Sequence, residues 1–254
     1  TNIADWAVNR PVHYDRSVLT ECPHASMEKL TVIIAAGGQS VRYGRNKLLE
    51  DLSGESVIRR SVRSVCLHAS VDRVIVATSD PTIQQHLQSV ASEGLTPITF
   101  CPGGPTRAHS VWSALKNVST DVRWVAVHDA ARPCVSAGLI TRTFSAAVEH
   151  GAAVPALQVQ LTIKQAVGPL PAPVQRTVPR DQLFAMQTPQ IMRRDDLLRA
   201  FETCPVPLEQ VTDDVQLLEL IGLPVWLVNG DECNIKITTP LDLQLAKWIV
   251  DNGV

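Results

Sequence analysis

The sequence has almost no net charge: 23 Lys and Arg stand against 25 Asp and Glu, a formal −2. Nothing resembling a global basic field is present to gather nucleic acid, so no nucleic-acid partner is expected and phosphate chemistry has to come from a few placed cations. The chain also lacks an apolar run of the ~18 residues that a membrane span needs, and no membrane partner is expected. Its six cysteines (Cys22, Cys66, Cys101, Cys134, Cys204, Cys233) contain no C-x-x-C pair. Neither a zinc cage nor a dense disulfide framework follows from that spacing; reduced thiols and a cytoplasmic location are the expectation. Residues 1–26 include Trp6, Arg10, Pro11, His13 and Asp15 but no apolar h-region, so they read as a poorly ordered N-terminal extension rather than a secretory leader. The first glycine-rich loop matches neither G-x-G-x-x-G nor G-x-x-x-x-G-K-[ST], which weakens dinucleotide and P-loop readings.

What is present is the material of a globular core, with 254 residues of which 45% are hydrophobic and 19% charged. Short continuous apolar runs at Thr31–Ala36, Arg73–Thr78, Thr96–Phe100, Trp124–His128 and Ala152–Leu157 read as strands buried on both faces. Between them, Val57–His68, Pro81–Ser92, Thr106–Val118 and Ser136–His150 have helical length and spacing. This alternation predicts an α/β fold with a doubly wound, mostly parallel sheet. Prolines 169, 171, 173 and 179 interrupt the rhythm, and residues 158–182 read as an arm inserted into a single domain spanning 27–254. Helical patterns return at Arg194–Glu202 and Asp213–Leu220, a strand at Val225–Val228, and a helix start at Thr239-Pro240.

Three strand-to-helix junctions carry groups suited to phosphates. The first is Ala35-Ala36-Gly37-Gly38, followed by Arg42, Arg45 and Lys47: small residues admit a ligand to the backbone, exposed N–H groups hold phosphate oxygens, and the cations add charge. A glycine-rich turn with solvated cations is the competing reading. The second is His128-Asp129-Ala130-Ala131-Arg132-Pro133, where Asp129 at a strand's carboxyl end suits a Mg²⁺ ion or a ligand hydroxyl, or else serves as a helix cap. His128, one residue earlier, faces the other way and is not assigned as a general base. In the third, Asn234-Ile235-Lys236-Ile237-Thr238, inward isoleucines would turn Lys236 to the opposite side, cleft or solvent.

Taken in order, AAGG with its Arg and Lys, GG-x-x-R-x-x-S at Gly103–Ser110, HDAARP, TPQ at Thr188–Gln190, TDD at Thr212–Asp214 and NIKIT resemble the 2-C-methyl-D-erythritol 4-phosphate cytidylyltransferase family. The resemblance runs from about Leu30 to Ile249. It implies a Rossmann-like nucleotidyltransferase fold with a protruding β-arm, and transfer of a cytidylyl group from CTP to methylerythritol phosphate with release of pyrophosphate, assisted by Mg²⁺. It implies catalytic roles for Arg42, Lys47 and Lys236, and nucleotide contacts from Ala35, Ala36, Gly37, Gly38, Gly104, Arg107, Ser110 and Asp129. Asp129, Arg132, Thr162, Arg180, Thr188, Thr212 and Lys236 are implied around the acceptor, with Asp129 also touching a metal held mostly by the CTP phosphates. Thr162 and Arg180 lie on the arm, which in the family completes the partner's site, so a homodimer with arm exchange is implied. The chain departs from the family pattern at GGQSVRYG, at Asn46-Lys47-Leu48, at Leu161 and at Pro105, which has no N–H to offer a base. A cytidylyltransferase for another acceptor, such as ribitol 5-phosphate or molybdopterin, and a non-catalytic nucleotide-binding regulatory protein are the alternative readings.

Overall fold

A computed structural model describes residues 28–37, 43–94 and 96–253; the extension read at 1–26 lies outside them. The chain begins with β1 (Leu30–Ala35), a small hairpin of β2 (Asp51–Leu52) and β3 (Glu55–Ser56), α1 (Val57–Cys66), β4 (Val71–Ala77) and α2 (Pro81–Ser92). It continues through β5 (Ile98–Cys101), α3 (Arg107–Leu115), β6 (Trp124–Asp129), α4 (Ala137–His150) and β7 (Ala152–Gln158). After these come β8 (Ile163–Ala166), β9 (Val174–Val178), β10 (Phe184–Met186), β11 (Gln190–Arg193), α5 (Arg194–Glu202), α6 (Asp214–Leu220), β12 (Trp226–Asn229) and α7 (Pro240–Asn252).

Strands β5, β4, β1 and β6 pair in parallel, in that spatial order. The apolar runs that form them are buried along nearly their whole length, as strands covered on both faces require. Alternate residues feed two cores. Val32 and Ile34 of β1 pack with α1, α2, α4 and α7 on one face. Ile33 of β1 packs with α3, α5 and α6 on the other. Helices on both faces make the sheet doubly wound.

The sheet also holds an element that periodicity does not announce. β11 inserts antiparallel between β6 and β7, and β10 pairs antiparallel with β7 further along. Ala153 of β7 faces Ile191 and Trp226 at once, and Ala156 faces Met186 and Asn229 at once, so β10 and β11 share one flank of β7 and β12 takes the other. Four residues are too few for a period, and the burial of Gln190, Ile191 and Met192 comes from neighbouring strands distant in sequence. The proline-rich stretch supplies β8 and β9, an antiparallel two-stranded ribbon separate from the main sheet.

Helix starts follow local chemistry. Asp80 accepts from the Thr82 N–H at the start of α2, with Pro81 in the first turn. Thr239 and Asp242 form a reciprocal capping box at α7. Trp124 and Phe144, both almost wholly buried, meet edge to face at 6.1 Å and tie α4 to the start of β6, at the opposite end of the strand from Asp129. A Phe144→Ala variant is expected to lose about 3–5 kcal/mol of stability, read as a lower urea midpoint at unchanged m-value.

Candidate active site

The strands' carboxyl ends open onto a cleft with two adjoining parts, of about 200 and 340 Å³, that share Gly37. Close backbone approach shapes its floor. A Cβ on Gly37 would stand 3.0 Å from Ser110 Oγ and 3.6 Å from Gly103 Cα, and one on Gly104 would stand 2.4 Å from His109 Cβ and 2.8 Å from its carbonyl carbon. Glycine is therefore required at 104, where the loop after β5 folds onto the first turn of α3. Ser110 Oγ accepts from the Gly104 N–H and donates to the Thr106 carbonyl, both at 3.0 Å. Buried and doubly engaged, Ser110 fixes the Gly104 loop.

Asp129, at the end of β6, is the electrostatic centre. Arg107 Nε donates to its Oδ1 at 2.9 Å, Lys236 Nζ stands 2.9 Å from Oδ2, and Arg132 Nε reaches Oδ2 at 3.4 Å. Burial works to raise this carboxyl, but Arg107, Lys236 and Arg132 outweigh it and hold Asp129 well below the usual carboxylate range. Lys236 has thus turned into the cleft, with Ile237 fully buried beside it. A backbone bond from the Ile237 N–H to the Ala131 carbonyl and one from Arg132 Nη1 to the Asn234 carbonyl lock that segment to the loop after β6.

Lys47 lines the same cavity from a turn of 3₁₀-helix, Lys47–Leu49. Asn46 caps that turn by accepting from the Leu48 N–H, and its amide donates to Asp80 at 3.0 Å. Since Asp80 also caps α2, the Lys47 backbone is referenced to a helix rooted in the sheet. The Asn46-Lys47-Leu48 sequence therefore has its own anchoring logic.

Ala35, Gly37, Lys47, Arg107, Ser110, Asp129 and Lys236 are brought together around the smaller cavity, and Ala36 and Gly104 line its neighbour. Arg132 sits behind Asp129 as a buried brace. Thr188, read as an acceptor contact, is 3% exposed, and its hydroxyl accepts from the Asp129 N–H at 3.1 Å and pairs with His128 Nδ1 at 3.0 Å. With that hydroxyl proton given to Nδ1, His128 Nε2–H donates to the Arg132 carbonyl at 3.2 Å. Thr212 is exposed at the approach to α6, its hydroxyl donating to Gln216. Thr162 and Arg180 are exposed on the arm, outside either cavity. Arg42 and Gly38 lie outside the described residues.

Several positioning residues escaped the sequence reading although motifs contain them. Asp214, the last residue of TDD, pairs with Arg107 Nη1 at 2.7 Å. Gln190, the last of TPQ, accepts from the Asp214 and Val215 N–H groups. Asn234, the first of NIKIT, donates to the Thr188 carbonyl at 2.8 Å.

Asp129 offers little to a metal, since both its oxygens are taken by cations, and among the described residues no group of three or more His, Cys, Asp or Glu is placed to hold an ion. Among these residues no helix is long and apolar enough to cross a membrane.

Cations gathered at strand ends of a doubly wound sheet, beside glycines that admit a ligand to the backbone, define a nucleotidyltransferase-type cleft. Residues 30–252 match the family described as 2-C-methyl-D-erythritol 4-phosphate cytidylyltransferase. The enzyme of that name from Symbiobacterium thermophilum is 40% identical over 228 residues, covering 87% of this chain and 93% of its own. The crystal structure of the one from Thermus thermophilus is 33% identical with a TM-score of 0.70, covering 88% of this chain and 99% of its own. This chain belongs to that family, and the match favours methylerythritol phosphate over the other acceptors considered. A bifunctional enzyme IspD/IspF from Anaeromyxobacter is 39% identical over 228 residues, and the match spans 58% of that longer protein.

Burial pushes the His128 imidazole down to about 4. The unfolded chain, whose histidine titrates near 6.5, then binds the proton first, so stability falls as pH drops from about 6.5 towards 4. In urea titrations at pH 7 and pH 5, a folded His128→Gln variant is expected to lose less stability between the two than the parent does.

Proposed function

We propose that the cleft joins the phosphate of 2-C-methyl-D-erythritol 4-phosphate to the α-phosphorus of CTP, giving 4-diphosphocytidyl-2-C-methyl-D-erythritol. The observation that carries this reading is the convergence of Lys47, Arg107 and Lys236 on one cavity beside Asp129. An acceptor phosphate oxygen attacks the α-phosphorus, a new P–O bond forms, the bond from the α-phosphorus to the bridging oxygen breaks, and pyrophosphate leaves with that electron pair. A phosphate monoester, whose second pKa is about 6, is already anionic near neutral pH and needs no general base. The buried, neutral His128 accords with this. The chemical problem is to hold two polyanions together and stabilise the charge on the leaving group, which preorganised cations solve.

In this reading Lys47, Lys236 and Arg42 act on the reacting phosphates, while Ala35, Ala36, Gly37, Gly38, Gly104 and Arg107 form the nucleotide side. Asp129 is the counter-ion of Arg107 and Lys236 and holds both beside the cavity. Mg²⁺ would travel on the triphosphate rather than in a protein cage and would add positive charge against the departing pyrophosphate. Thr162, Arg180 and Thr212 would meet the acceptor. The arm carries Thr162 and Arg180 outside the cavities of its own chain, and its Leu170 is 85% exposed, which suits a homodimer whose arms cover each other's sites. Free Cys66, Cys101, Cys134, Cys204 and Cys233 accord with a cytoplasmic location.

Pyrophosphate release from CTP and methylerythritol phosphate, set against ribitol 5-phosphate and the other nucleoside triphosphates, tests the assignment; release with the first pair alone is expected. Lys47→Ala should lower kcat at least 100-fold with CTP affinity changed less than tenfold, because charge builds on the phosphates in the transition state. Arg180→Ala should raise the KM for methylerythritol phosphate about tenfold and leave that for CTP within twofold, in steady-state kinetics with each substrate varied in turn.

A further inference from the structure

Asp214 is a buried carboxylate that the reaction above does not use. Only 1% of its side chain is exposed, yet its Oδ2 stands 2.7 Å from Arg107 Nη1. Its place is fixed from behind. The N–H groups of Asp214 and Val215 donate to Gln190 Oε1 at 2.9 and 3.1 Å, while Gln190 Nε2 donates to the Asp213 carboxylate at 3.1 Å. Asp213 also caps α6 by accepting from the Gln216 N–H. The first residue of α6 is thereby pinned to β11, in the middle of the sheet.

Arg107 is consequently gripped by two carboxylates on two separate edges. Its Nε faces Asp129 at 2.9 Å and its Nη1 faces Asp214 at 2.7 Å. Among the described residues Nη2 has no partner, although Arg107 lines the cleft. A guanidinium is planar, so a hydrogen bond at Nε and a close ion pair at Nη1 together restrict where the third nitrogen points. With Asp129 alone, the group can rotate about its long side chain; the second anchor removes that freedom.

We propose that Asp214 is the positioning residue for Arg107, setting its guanidinium so that Nη2 is presented to the nucleotide in the cleft. A buried charge without a ligand-facing partner needs such a reason, since replacing a buried ion pair with apolar residues is often neutral or stabilising. The inference rests on the nucleotide reading of Arg107 given above. Asp214 acts through Arg107 and does not itself touch substrate.

The test is a double-mutant cycle of Asp214→Asn and Arg107→Met on the full chain, with KM and kcat measured for CTP and for methylerythritol phosphate and folding checked by urea unfolding. Asp214→Asn keeps the shape and removes the charge. It is expected to raise the KM for CTP about tenfold, leave kcat and the KM for methylerythritol phosphate within about twofold, and change nothing further in the Arg107→Met background. Equal losses in both backgrounds, or a loss spread over both substrates, would show that Asp214 only stabilises α6 and would overturn the proposal. A CTP KM unchanged by Asp214→Asn but raised by Arg107→Met would also overturn it. Arg107→Met without effect would instead remove the nucleotide role of Arg107, on which the proposal stands.

Discussion

The carboxylate of Asp129 holds Arg107, Arg132 and Lys236 in one place, and each of these belongs to a different part of the chain. Like charges repel, so cations from the start of α3, the loop after β6 and the segment before α7 converge only if something negative is buried among them. Asp129 can stay ionised there because the three cations more than offset its burial. Thr188 and Asn234 complete the arrangement: the Asp129 N–H donates to the Thr188 hydroxyl, and the Thr188 carbonyl accepts from Asn234. This hydrogen-bonded ring joins β6, the approach to β11 and the NIKIT segment.

Such a cluster is poor evidence for stability, because desolvating several charges costs much of what their attraction returns. Its value is preorganisation. A cation that is already desolvated and oriented reorganises little when charge appears on a phosphate. The need for a preformed site also explains the glycines. Gly104 lies where a single Cβ would meet the backbone of His109, and the space so gained lets the loop after β5 close down on the first turn of α3.

Much of the frame could be read from the sequence because its signals are local. The Asp80-Pro81 start of α2 and the Thr239–Asp242 box at α7 are short-range chemistry, and the apolar runs of β1, β4 and β6 announce strands buried on both faces. β11 was not legible, since four residues carry no period and its burial is supplied by β6 and β7. At the site, residue types pointed to the right loops but not to the internal bonds made there. Ser110 and Thr188 are hydroxyls beside the cleft, and each makes an internal bond: Ser110 locally, with Gly104 and Thr106, and Thr188 with Asp129 of a distant strand. Whether Lys236 faces cleft or solvent depends on Asp129, 107 positions earlier in the chain, and no spacing within NIKIT could decide it.

The division of labour between strand ends and arm follows from the same physics. In the proposed reaction, the groups that hold charge at a fixed distance from phosphorus are mounted on the sheet, where strand pairing and capped helices leave little freedom. Lys47 shows how far this goes: even on a loop, it is tied through Asn46 and Asp80 to the first turn of α2. The arm is built differently, as a two-stranded ribbon with its apolar residues facing outward. An isolated ribbon is marginal in water, so its shape depends on what it packs against. If Thr162 and Arg180 meet the acceptor as proposed, completion of the acceptor site is conditional on a packing partner, whereas Arg107, Asp129 and Lys236 are assembled within the chain itself.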